Sequence, residues 1–183
     1  MRTENVEKVE MMSREQFDAS KFGDLISANS EYSKTFKYSE LTGSAARGLA
    51  IVTCMDSRIN PLSVVGMRSG DAKILRNAGA RVTEDVLRTL VLATYLLNVD
   101  RILVMPHTDC RMAQSEESSL HEEIDSKYGV DTRSLEFRVT KDQEQALKSD
   151  ITRIRSYPLI REGVSVAGAI YDVKTGKIDF KSF

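Results

Sequence analysis

Cys54, Asp56 and Arg58 stand at alternate positions in "IVTCMDSRINP" (51–61), where an apolar run stops and polar residues take over. A thiol, a carboxylate and a guanidinium on one short stretch offer a soft metal ligand, a hydrogen-bond acceptor and a cation that can hold that acceptor ionised. A second apolar run ends in "HTDC", which sets His107 and Cys110 three residues apart, so that both side chains can face one point on a turn. If the two runs are neighbouring strands, two sulfurs and one imidazole nitrogen converge. That donor set suits zinc and leaves a fourth tetrahedral position for water, as catalytic zinc sites do. His121, in the acidic "SSLHEEI", reads as a solvated helix residue without a role.

The surrounding pattern says what must position these groups. "LAIVTC" (49–54), "AKILRNAG" (72–79) and "DRILVMPH" (100–107) read as buried strands, the second closed by glycine and the third by Pro106. "TEDVLRTLVLATYLLN" (83–98) reads as a helix with Thr83 as its N-cap and Glu84 and Asp85 in the first turn. Two polar helices are predicted, over 115–128 (stopped by Gly129) and over 141–156 (ending before Pro158). "VSVAGAIYDV" followed by "KTGKIDF" predicts a strand, a turn at Thr175 and Gly176, and a short closing strand. Apolar strands alternating with helices imply the α/β class: a mostly parallel sheet covered by helices, with an N-terminal helical arm. In such sheets ligands bind at the carboxyl ends of the strands, where both polar clusters fall.

The length of 183 residues suits a single domain overall, with an arm over 1–40 and an α/β domain over 41–183. In the arm, Ser13 and Gln16 resemble a capping box, Phe17, Leu25 and Ile26 form a sparse apolar stripe, and Gly23 weakens a continuous helix. With so little to bury, the arm is expected to lie on the main domain or on a partner subunit. The 26 basic and 27 acidic residues form no long block of one sign, so neither nucleic acid nor an anionic membrane is an expected partner. The longest apolar stretches, such as "TLVLATYLL", fall short of the roughly 18–20 residues of a membrane span. "MRTENVEKVEMM" has no apolar signal region, so the expected location is the cytoplasm. In a reducing compartment, two cysteines point to metal or catalysis rather than to a disulfide framework.

Taken together, "CMDSR", "GDAKILRNAGARV" and "HTDC" resemble the β-class carbonic anhydrases, especially their short prokaryotic members, in the family's order and over about Asn29 to Asp172. "SYPLI" and "GAIYDVKTGKI" have counterparts there too. The resemblance implies one zinc per subunit on Cys54, His107 and Cys110, with reversible hydration of carbon dioxide to bicarbonate and a proton by a zinc-bound hydroxide. It implies Asp56 and Arg58 as the catalytic pair, and a homodimer or homotetramer whose N-terminal helices wrap the neighbour. Two thiolates and an imidazole cancel the charge of zinc, so the site is expected to need Asp56 as an oriented acceptor and Arg58 as its clamp. In this family the aspartate can also swing onto the metal and close the site, a state that acid or bicarbonate is expected to favour here.

The resemblance further implies that Asn77 and Gly79 shape the substrate site, glycine permitting close backbone approach or a positive φ. Asp109 either shuttles protons or caps the turn. After H-x-x-C most members of the family have glycine where this chain has Arg111, which crowds the pocket, adds positive potential for bicarbonate, or points outward. Related enzymes on the same scaffold hydrolyse carbonyl sulfide or carbon disulfide, which is the second functional reading. The third, a non-catalytic zinc-holding scaffold or sensor, has no need of Asp56 and Arg58.

Overall fold

The computed structural model describes residues 19–183, and the chain divides into two compact units, Met1–Glu40 and Leu41–Phe183. In the first, a 3-10 turn (Ala19–Phe22) runs into helix α1 (Gly23–Lys34). Gly23 opens the helix instead of interrupting it, so the cost of an interior glycine does not arise. No residue of α1 is buried, and Leu25 and Ile26 are exposed. The capping box at Ser13 and Gln16, and Phe17, lie outside the described residues.

The second unit is built on five strands. Strand β1 (Leu49–Cys54) leads through the one-turn helix α2 (Pro61–Val64) to β2 (Ala72–Asn77), and helix α3 (Glu84–Leu96) then leads to β3 (Arg101–Met105). Three helices follow, α4 (Arg111–Gln114), α5 (Glu117–Tyr128) and α6 (Gln143–Arg155), before β4 (Ser165–Tyr171) and β5 (Ile178–Lys181). The sheet order is β2-β1-β3-β4-β5, parallel except for the β4–β5 hairpin. All six residues of β1 are buried, as a central parallel strand requires.

The predicted helix ends are built by the expected chemistry. The Thr83 hydroxyl accepts from the Val86 N–H and the Asp142 carboxylate from the Gln145 N–H, while Gly129 ends α5 in a left-handed conformation. His121 departs from expectation. Its side chain is only 12% exposed, its Nδ1 lies 2.8 Å from the Thr132 hydroxyl, and its ring packs against Phe137. The segment after α5 folds back over a helix face whose sequence alone reads as solvated.

The pleat sends alternate residues to two layers. Ala50, Val52, Ile102 and Val104 pack with Val86, Leu87 and Leu90 of α3 and Leu147, Ile151 and Ile154 of α6. Ile51, Leu103 and Met105 face the other way, into a cluster that also holds Ile59, Cys54 and Cys110. Among the described residues no helix is long and apolar enough to cross a membrane.

Helix α6 lies directly on β4 at Gly168. A Cβ there would come 2.3 Å from the Ile151 Cδ1 and 3.1 Å from the Leu147 Cγ. Gly168→Ala is therefore expected to destabilise the protein by about 1–3 kcal/mol through overpacking. Urea unfolding checks this: the midpoint should fall with the slope unchanged.

Candidate metal centre

Parallel pairing brings the two polar strand ends together. Thr53 is in register with Arg76 on one side and with Met105 on the other, and its hydroxyl donates to the Met105 carbonyl at 2.7 Å. Cys54, one residue further, lies in register with Asn77. Past the end of β3, His107 still pairs with Tyr171 of β4, which holds the start of the H-x-x-C turn against the sheet.

Cys54, His107 and Cys110 are all buried, and their ligand atoms lie within 4.8 Å of one another. The His107 Nδ1 sits 2.8 Å from the Thr108 carbonyl oxygen. A carbonyl accepts only, so Nδ1 carries the hydrogen and Nε2 presents a lone pair. That Nε2 is buried and has no hydrogen-bond partner. A buried acceptor left bare between two sulfurs fits a metal ion, and these three residues could hold one through two sulfurs and a nitrogen.

The sulfurs share their protons unequally. A hydrogen bond from Cys110 holds the Cys54 thiol far below the usual range against burial, helped by His107 and by the Gly79 and Asp56 backbone. Cys110 is pushed up by the Cys54 sulfur and by burial, and the Met112 and Ala113 backbone groups partly offset this. Burial pulls the His107 imidazole down, but the Cys54 sulfur, the Thr108 carbonyl and Asp56 outweigh it and leave it raised.

Asp56 and Arg58 form a fork. The Arg58 Nε and Nη2 donate to the two Asp56 carboxylate oxygens at 2.9 and 2.7 Å, and the Arg58 N–H adds a third bond at 2.9 Å. Arg58 thereby keeps the Asp56 carboxyl well below its ordinary range. The Asp56 Oδ2 lies 3.7 Å from the His107 Nε2, beside the metal-ready atoms but held by the arginine.

Asn77 and Gly79 act on the same place by different means. The Asn77 amide closes a ring with the Arg81 backbone, donating to its carbonyl at 2.7 Å and accepting from its N–H at 2.8 Å. Gly79 has φ +76°, and a Cβ there would come 3.1 Å from the Met112 Cβ, so α4 packs where only glycine leaves room. Arg111 points outward: its side chain is 67% exposed and its guanidinium pairs with Glu123 at 2.5 Å. It still borders a cleft of about 490 Å³ that contains the three candidate ligands, Asp56, Arg58, Met55, Ala78 and Met112.

Two contributors had not stood out in the sequence. The Arg76 guanidinium gathers the carbonyls of Cys54, Asp56 and Ile59 at 2.9, 2.5 and 3.2 Å, which shapes the loop that carries the fork. Its one trace was a charged residue inside an apolar strand. Gln143, at the start of α6, donates to the His107 carbonyl at 2.9 Å, and nothing local in the sequence announces it. Asp109, for which the sequence left a proton shuttle and a turn cap open, accepts a hydrogen bond from Arg58 at 2.8 Å.

Known proteins carry the same arrangement of chain. The family model described as carbonic anhydrase matches residues 49–178. Beta-carbonic anhydrase 1 of Mycobacterium tuberculosis is 32% identical over 157 residues, covering 85% of this chain and 94% of its own. Carbon disulfide hydrolase of Saccharolobus solfataricus is 30% identical over 156 residues, covering 72% of this chain and 76% of its own. The crystal structure of carbonic anhydrase from Streptococcus mutans matches with a TM-score of 0.83 and 36% identity, over 92% of this chain and 100% of that one. A family match across both strand-end motifs, with relatives of this identity over most of the chain, shows that the protein is an enzyme of the carbonic anhydrase family, in its β class.

Proposed function

We propose that the protein hydrates carbon dioxide reversibly to bicarbonate and a proton, using one zinc ion per subunit held by Cys54, His107 and Cys110. The observation that carries this reading is the bare, buried His107 Nε2 between two sulfurs, with the forked Asp56 carboxylate beside it. Zinc held there supplies, when bound, a Lewis acid that lowers the pKa of a water at its open position towards about 7. Asp56, kept ionised by Arg58, accepts a hydrogen bond from the attacking water and cannot donate one, so it turns the water's lone pair towards the substrate carbon. Arg58 holds that carboxylate in one orientation through two parallel bonds. Met55, Ala78 and Met112 give the cleft an apolar wall suited to a small, non-polar gas.

A second reading, hydrolysis of carbon disulfide or carbonyl sulfide on the same residues, is favoured by the 30% identity to the Saccharolobus hydrolase. Stopped-flow hydration of carbon dioxide by the zinc-loaded protein, beside a sulfide-release assay, separates the two. Hydration well above buffer is expected, while sulfide release without hydration would transfer the function to the second reading. Metal content without either activity would leave a zinc-holding scaffold. Asp56→Asn should cut the favoured activity by about 10–100-fold while zinc content stays unchanged.

The residues shape metal uptake as well. Cys110, raised above an ordinary thiol, must lose its proton before it can bind, so metal binding releases protons and tightens as pH rises. Each proton released is expected to raise the apparent affinity about tenfold per pH unit, read by competition with a chelator at several pH values.

Assembly as a homodimer or homotetramer is part of the same proposal, as is a place in a reducing compartment such as the cytoplasm, where the two free thiols stay ready for metal. An open sheet edge at β5, where Phe180 is 63% exposed, supports the assembly. Light scattering is expected to give at least twice the monomer mass of 20.5 kDa.

A further inference from the structure

Arg58 has more partners than its fork with Asp56 needs. Its Nη1 donates to the Asp109 Oδ2 at 2.8 Å and its Nη2 to the Asp109 backbone carbonyl at 3.1 Å. The other Asp109 oxygen accepts from the Gln114 amide at 2.9 Å, so the carboxylate is gripped from α4 as well. Asp109 holds φ at +57°, a left-handed position where glycine would be unstrained, yet the chain places a side chain there.

The placement has a mechanical consequence. Asp56 and Arg58 are two residues apart on the loop after β1, so their fork can move as one body relative to His107 and Cys110. Arg76 ties that loop's carbonyls to β2, not to the turn that carries those two residues. Among the hydrogen bonds of the described residues, those of Arg58 to Asp109 join the fork to that turn.

We propose that Asp109 is a positioning residue: by gripping Arg58 from the turn that bears Cys110, it sets where the Asp56 carboxylate stands relative to the metal donors. This rests on the reading of Cys54, His107 and Cys110 as a metal centre with Asp56 beside its open position. The pair is half exposed, so it adds little stability, and its effect lies in geometry.

The test compares the parent protein with Asp109→Asn, which removes the charge but keeps an acceptor, and Asp109→Gly, which removes the side chain and relaxes the backbone. Zinc per chain is expected to match the parent in both. For carbon dioxide hydration, kcat should fall about tenfold or more in D109G and less in D109N, with KM within about twofold. The visible d–d bands of the cobalt-substituted proteins, which report the ligands and geometry at the metal, should shift in D109G. Parent-like bands or a parent-like kcat in D109G would overturn the proposal, as would loss of metal from a folded variant, which would make Asp109 a support of the ligand turn only. If the parent itself fails to hydrate carbon dioxide, the proposed function falls while the cobalt bands still decide the role of Asp109.

Discussion

Two sulfurs and an imidazole nitrogen are buried within 4.8 Å of one another, and the His107 Nε2 has no hydrogen-bond partner. Two thiolates about 4 Å apart repel by about 4 kcal/mol at an effective dielectric of 20. A proton shared between them relieves that repulsion and still leaves Nε2 of His107 bare. A metal cation answers all three at once. The surroundings are arranged for that charge: backbone groups of Gly79 and Asp56 face the Cys54 sulfur, and those of Met112 and Ala113 face Cys110. The sheet supplies the rest, because β1 and β3 run side by side in parallel and so finish at the same edge. An antiparallel pairing would send Cys54 and His107 to opposite ends.

Holding the donors is a task for the loops, and each loop is fixed by a different device. Arg76 replaces ladder hydrogen bonds that β1 no longer makes, collecting three carbonyls of the loop with one rigid guanidinium. The Asn77–Arg81 ring closes the turn after β2 so that Gly79 faces Met112. A side chain at Gly79 would push α4, and α4 begins at the residue after Cys110. A small change in the turn after β2 would therefore move a donor on the turn after β3.

The strands, the long helices and the meeting of Cys54, His107 and Cys110 were legible because each rests on local chemistry: continuous apolar runs, Thr83 as a cap, Gly129 as a stop, and cysteine and histidine at strand ends. What was not legible depends on distance in the chain. Arg76 meets its carbonyls only once β1 and β2 pair, and Gln143 reaches His107 from 36 residues away. The single-turn helices α2 and α4 are too short to show a period. His121 misled because an acidic helix face reads as solvated until the segment bearing Thr132 and Phe137 lies on it.

Arg111 stands where the resemblance leads one to expect glycine, and the structure shows which way its side chain points. Its backbone is not left-handed, so nothing in the turn calls for the conformational freedom of glycine. Its guanidinium leaves the metal donors and binds Glu123, which Lys127 holds from the other side at 2.7 Å. Lys127 and Arg111 keep that carboxylate below its ordinary range, so the arginine's charge is answered where it sits. What remains is exposed and screened, and it adds little field at the sulfurs. Arg111 instead ties α4 to α5 across the rim of the cleft. Met55, Ala78 and Met112 line the same cleft as the three sulfur and nitrogen donors, so its wall there is apolar, and the charge of Arg111 is answered at the rim.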